Sequence, residues 1–145
     1  MKSYDYNLAF SPYEFQNFAR DIVQIKEHMM FESFAEGRDC GIDGRNVAED
    51  GYTTILQAKQ NINMSSQILR IMKREKEKMD HLVHVGKRVD RYVLVLSDDI
   101  GPEKKEKIIQ IMFPYIKVPG DIIDRKDINN LLGMPEYKTI EGNYY

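Results

Sequence analysis

Apolar residues recur at helical spacing from Phe15 onward. Phe15, Phe18, Ile22 and Ile25, with Ala19 and Val23 beside them, predict a helix over about Pro12 to His28. Its start is written in Ser11-Pro12-Tyr13-Glu14: a serine N-cap, a proline at the first helical position and a glutamate that closes a capping box. Phe31-Glu32-Ser33-Phe34 reads as a short strand, and Ile42-Asp43-Gly44-Arg45 as the start of another. Asp50-Gly51 is a hairpin turn signal, and β-rich Tyr52 to Lys59 follows it. With a period of two, Ile55, Gln57 and Lys59 share one face of that strand, and Leu56 and Ala58 the other. Ser65 to Lys78 predicts a second helix, with Ile68, Ile71, Met72 and Met79 on one side. The continuous apolar run in Arg91 to Ser97 fits a central strand. Pro102 opens a third helix that ends before Pro114. Ile116-Lys117-Val118 and Ile122-Ile123 read as short strands, and Asp127 to Leu132 as a last helix stopped by Gly133. Helices alternating with a hairpin and later strands predict an α/β domain, a mixed sheet covered on both faces, over residues 1–133. Residues 134–145 carry no pattern and read as a tail or linker, or as an arm that docks on a partner.

At 145 residues the chain fits one domain, and its 42% hydrophobic content supplies an ordinary core. A net charge of -2 excludes a polycationic coat but leaves room for a local basic patch. Cys40 is the single cysteine, so no intrachain disulfide forms, and a reducing, cytoplasmic compartment is expected. No apolar run approaches the roughly 20 residues that span a bilayer, so no membrane is expected as a partner.

Candidate chemistry gathers in two short stretches, Gly41-Ile42-Asp43-Gly44 and Gln57-Ala58-Lys59. If their strands pair across Asp50-Gly51, Asp43 and the Gln57/Lys59 face converge at one end. Phosphodiester hydrolysis uses such a group. Oxygen ligands hold a hard cation such as Mg²⁺, which polarises the phosphate and acidifies a bound water. A lysine stabilises charge that builds on the phosphoryl oxygens.

These two stretches, with Phe15, resemble the PD-(D/E)xK nuclease superfamily in its Mrr-like restriction endonuclease branch. The run from Gly37-Arg38-Asp39-Cys40 through Arg45 is most similar to N-terminal nuclease domains of bacterial antiphage proteins, where the domain is fused to a STAND or NACHT-type NTPase. The similarity continues through Pro114-Tyr115-Ile116, Gly120-Asp121-Ile122 and Asp127-Ile128-Asn129-Asn130-Leu131-Leu132-Gly133. The resemblance implies a restriction-endonuclease-like sheet core flanked by helices. It implies a Mg²⁺-dependent endonuclease of double-stranded DNA, with Mn²⁺ as a substitute, acting in antiphage defence or restriction. Asp43 matches the metal-binding aspartate, Gln57 stands at the acidic position of the (D/E)xK triplet, and Lys59 matches the catalytic lysine. The Ala58 carbonyl becomes a further metal ligand. A homodimer or higher oligomer, and a fused or associated STAND-type NTPase, are the implied partners. This sequence departs from the pattern at Gln16, where a glutamate often follows the helix phenylalanine, and at Cys40, where glycine is common. The two glutamines, Gln16 and Gln57, leave Asp43 as the sure carboxylate. They motivate the alternative of a catalytically weak or inactive module that binds DNA or a protein; a ribonuclease is a further alternative.

For phosphate contacts the sequence offers Lys87, Arg88 and Arg91, dense and without intervening acids, and Arg38 and Arg45 beside the proposed site. Lys73 to Lys78 alternates basic residues with glutamates and reads as a solvated helix face. Glu14 reads as a cap, not a ligand. His28, His81 and His84 lack metal-ligand spacing, and no glycine-rich phosphate loop is present.

Overall fold

Ser11 starts the first long helix as its side chain dictates: the Glu14 N–H donates to Ser11 Oγ (3.2 Å) and the Ser11 N–H donates to Glu14 Oε1 (2.9 Å). In the computed structural model, which describes residues 4–33, 42–60 and 64–144, this helix is α2 (Pro12–Glu27), closed by His28 in the left-handed region at φ 53°. The other helices are α1 (Tyr6–Ala9), α3 (Met64–His84), α4 (Gly101–Met112), α5 (Arg125–Leu132) and α6 (Lys138–Tyr144). The strands are β1 (Glu32–Ser33), β2 (Gly44–Val47), β3 (Thr53–Lys59), β4 (Arg91–Leu96) and β5 (Ile122–Ile123). They form one mixed sheet in the order β1-β2-β3-β4-β5. β2 runs antiparallel to its neighbours β1 and β3, while β3, β4 and β5 run parallel. The parallel pairs need crossovers, and α3 and α4 supply them.

The period of two sorts the sheet's side chains onto two cores. Leu56, Ala58, Val93 and Val95 pack with Phe15, Phe18, Ala19, Ile22 and Val23 of α2, and with α5 and α6. Ile55, Tyr92, Leu94 and Leu96 pack against α3 and α4. Helices therefore flank both faces of a mixed sheet. No helix among the described residues is long and apolar enough to cross a membrane.

α1 has no counterpart in the sequence-based expectation, and three other elements differ from it. α3 runs to His84, because its apolar stripe continues through Met79 and Leu82 beyond the charged run. Ile116 to Val118 is not a strand: Ile116 is buried, but its N–H turns back to the Met112 carbonyl. The residues after Gly133 are not a patternless tail. They form a 3-10 turn (Pro135–Tyr137) and α6, with Tyr137 and Ile140 buried. The Tyr144 ring lies edge-on to Phe18 and Phe10, with ring centres 5.2 and 5.6 Å apart, and its hydroxyl donates to Asp21 Oδ2. Tyr137, Ile140 and Tyr144 carry a helical period too short to be seen beside Pro135 and Gly142. Truncation of buried Ile140 to alanine is expected to cost about 2 kcal/mol, read as a lower urea midpoint. A midpoint equal to that of the wild type would mean that α6 is not docked.

Candidate active site

The hairpin joins β2 to β3 with Gly44 opposite Leu56 and Arg45 opposite Ile55. Asp43 lies one residue before the end of this ladder. The Asp43 N–H donates to the Leu56 carbonyl (3.2 Å), and Asp43 Oδ2 accepts from the Ala58 N–H (2.6 Å). Gln57 and Lys59 lie on the α3 side of β3 with Ile55, and the Lys59 charge acts on Asp43 at the C-terminal end of the strand. Backbone alternation does the rest. The Lys59 carbonyl accepts from Ser97 N–H on the β4 side, so the peptide groups of Ala58 point the other way, toward Asp43.

α3 adds a residue that the sequence reading had assigned to solvent. Ile68, Met72, Met79 and Leu82 are buried against the sheet, and Glu75 stands in the same stripe with only 2% of its surface exposed. Tyr92, fully buried on β4, donates its hydroxyl to Glu75 Oε1 (2.7 Å). Lys78 Nζ donates to Glu75 Oε2 (3.0 Å), and Lys59 Nζ lies 3.5 Å from the same oxygen. The signal was present in the spacing: a carboxylate at an apolar-stripe position must find partners or it would not be buried.

Burial pushes the Asp43 carboxyl up from 3.8 to about 6, against the lowering pull of the Ala58 N–H, Lys59 and Lys78. The Glu75 charge adds to the rise. The Tyr92 phenol is held well above its ordinary value, by burial first and then by Glu75, so it remains a donor. The sign of the Asp43 effect is testable. Between pH values of about 4 and 6, the folded protein holds a proton that the unfolded chain has released. Stability is therefore lost as pH rises through that window and stays lost above it. Asp43→Asn removes the buried charge and keeps an oxygen for the Ala58 N–H. In EDTA at neutral pH it is expected to melt above the wild type, with the gap closing toward pH values of about 4. A gap that does not depend on pH would show that Asp43 is solvated.

The donor set fits a hard divalent cation of the Mg²⁺ kind, which keeps several waters and takes one or two carboxylates from protein. Asp43 offers the oxygen not held by Ala58, Gln57 carries a carboxamide on the α3 side of β3, and the Ala58 carbonyl lies along the edge toward Asp43. Among the described residues no three His, Cys, Asp or Glu side chains cluster as a metal site.

The basic residues proposed from sequence do not gather here. Arg91 is clamped by Asp121 (2.7 and 3.1 Å) and Glu27 (2.9 Å), which ties α2 to β4 and to the turn before β5. Arg88 pairs with Asp90 (2.6 Å) and donates to the Asp50 carbonyl. Arg91 pairs with Thr54, five residues from Lys59 along a parallel ladder. Lys87, Arg88 and Arg91 thus lie at the opposite end of the sheet, about 17 Å away. Proximity in sequence did not translate into a shared face, because β3 and β4 run the same way. Arg45, opposite Ile55 on β2, stands in an ion pair with Glu32 (2.7 Å). Arg38, with Asp39 and Cys40, lies outside the described residues.

No family model and no solved structure matches the chain. A curated relative, the uncharacterized protein y4cD of Sinorhizobium fredii (strain NBRC 101917 / NGR234), is 35% identical over 130 residues, 89% of this chain. The chain spans 19% of that relative's length.

Proposed function

We propose that the chain is a restriction-endonuclease-like, metal-dependent nuclease domain that hydrolyses phosphodiester bonds of DNA. The observation that carries this reading is Asp43 held by the Ala58 N–H at the end of β3, within reach of the Lys59 charge, with the Lys59 ammonium against the buried Glu75. Asp43, Gln57 and the Ala58 carbonyl are the residues that would hold Mg²⁺ or Mn²⁺. Such an ion supplies Lewis-acid polarisation of the phosphoryl group and a more acidic water. Lys59 keeps its ammonium at the mouth of the site, 23% exposed, where it can meet charge that develops on phosphoryl oxygens. Glu75 acts through Lys59, as a positioning residue. The sequence resemblance extends the reading to an effector of antiphage defence, active as a pair of copies and governed by an NTPase partner.

The test is cleavage of supercoiled plasmid with Mg²⁺, Mn²⁺ or EDTA. The wild type is expected to nick or linearise DNA only with metal, and Asp43→Asn to lose at least about a hundredfold in rate. Equal cleavage by Asp43→Asn overturns the reading. The neutral Gln57 favours a second reading, a module that binds without cutting. Calorimetric titration with Mn²⁺ separates the two, because a binding-only module shows no saturable site that Asp43→Asn removes.

A further inference from the structure

α3 sorts its alternating charges by angle, at about 100° per residue. Ile68, Met72, Glu75, Met79 and Leu82 face inward. Lys76 and Asp80 lie on the flank toward α4: the Lys76 ammonium sits 5.7 Å over the Tyr115 ring, and the Tyr115 hydroxyl donates to Asp80 (2.6 Å). The opposite flank carries Arg70, Arg74, Lys78 and His81, all exposed. That flank faces the candidate site, since Lys78 bonds Glu75 and its charge acts on Asp43. Among the described residues neither Arg70 nor Arg74 is held in an ion pair. An open depression of about 560 Å³, lined by Arg74, Glu77, Lys78, His81 and Leu82, runs along this flank.

We propose that the Arg70–Arg74–Lys78–His81 flank of α3 is a track for the phosphodiester backbone of duplex nucleic acid, leading to Asp43 and Lys59. This rests on the nuclease reading and names the substrate's path. Eleven residues of helix extend about 17 Å, close to five steps of rise along one strand of a duplex. The spacing of four residues sets the first three cations about 6 Å apart on successive turns of one flank, nearly two steps of that rise, which suits contacts to alternate phosphates. Such contacts set position and affinity and carry no sequence preference.

The experiment measures binding of labelled DNA and RNA duplexes by fluorescence anisotropy across a salt series in EDTA, and metal-dependent cleavage in parallel. Arg70→Gln/Arg74→Gln is expected to weaken binding about tenfold or more and to lower the log–log salt slope by about 2. Lys87→Gln/Arg88→Gln, at the far end of the sheet, is expected to leave both unchanged. The DNA and RNA arms show which backbone the track accepts. The proposal is overturned if the Arg70/Arg74 variant binds as the wild type does, if Lys87/Arg88 carries the loss, or if the wild type binds neither duplex. Intact Arg70/Arg74-dependent binding in a protein that never cleaves would remove the nuclease reading and leave the track standing.

Discussion

Lys59→Ala is expected to reduce metal-dependent DNA cleavage by about 10² to 10³-fold while leaving the protein folded. That loss corresponds to about 3–4 kcal/mol of transition-state stabilisation, the usual range for one preorganised group aimed at developing charge. The fold should survive, because the Lys59 side chain ends β3 partly exposed and Glu75 keeps Lys78 and Tyr92 as partners. The backbone of Lys59 stays in the ladder, where its carbonyl accepts from Ser97. Lys59→Arg restores the charge but replaces a compact ammonium with a planar fork, so it should recover only a small part of the rate. Lys87→Ala serves as the control: it removes an exposed charge at the other end of the sheet and should leave cleavage within about twofold. Cleavage by Lys59→Ala at the wild-type rate, in protein with an unchanged melting transition, would dismiss Lys59 and with it the proposed chemistry.

What sequence patterns disclose here follows from how far each signal reaches. The start of α2 is local: Ser11, Pro12 and Glu14 satisfy the first backbone donors among themselves, so four residues suffice to place it. The approach of Asp43 to Ala58 and Lys59 needs only one hairpin, a short-range feature. The sheet order is next in reach, and alternation of strands and helices fixed its mixed character. Glu75 marks the limit. Read along the chain, it belongs to a run of alternating charges and looks solvated. Its burial is decided by Tyr92 and Lys59, residues 17 and 16 positions away, which meet it only after β4 has paired with β3. The basic residues fail in the same way, since which end of a parallel ladder a cation occupies is not written in its neighbours. Arg91 looked free in sequence and is consumed by Glu27 and Asp121 in the fold. α6 was missed because its anchor Tyr144 finds its partners, Phe10, Phe18 and Asp21, at the other end of the chain.

Glu75 also carries the largest expected effect on stability. Glu75→Ala leaves the Tyr92 hydroxyl buried without its acceptor, takes the counter-charge from Lys59 and Lys78, and opens space in the α3 core. The sum is expected to be about 3 kcal/mol, a fall of roughly 10 °C in a domain of this size. The opposing effect is real: a carboxylate in an apolar stripe is costly to desolvate, and an apolar replacement recovers that cost. Which one wins depends on the hydroxyl, because Lys59 and Lys78 can turn to water whereas Tyr92 cannot. The double variant Glu75→Leu/Tyr92→Phe removes carboxylate and hydroxyl together. It is expected to be more stable than Glu75→Leu alone, with a coupling of about 1–2 kcal/mol by denaturant titration. A cycle with no coupling would show that the Tyr92–Glu75 bond is not what holds the carboxylate in the core. A cycle with the expected coupling, together with loss of cleavage in the folded double variant, would show why a charge persists there: it fixes the position of Lys59, at a stability cost that an apolar stripe would avoid.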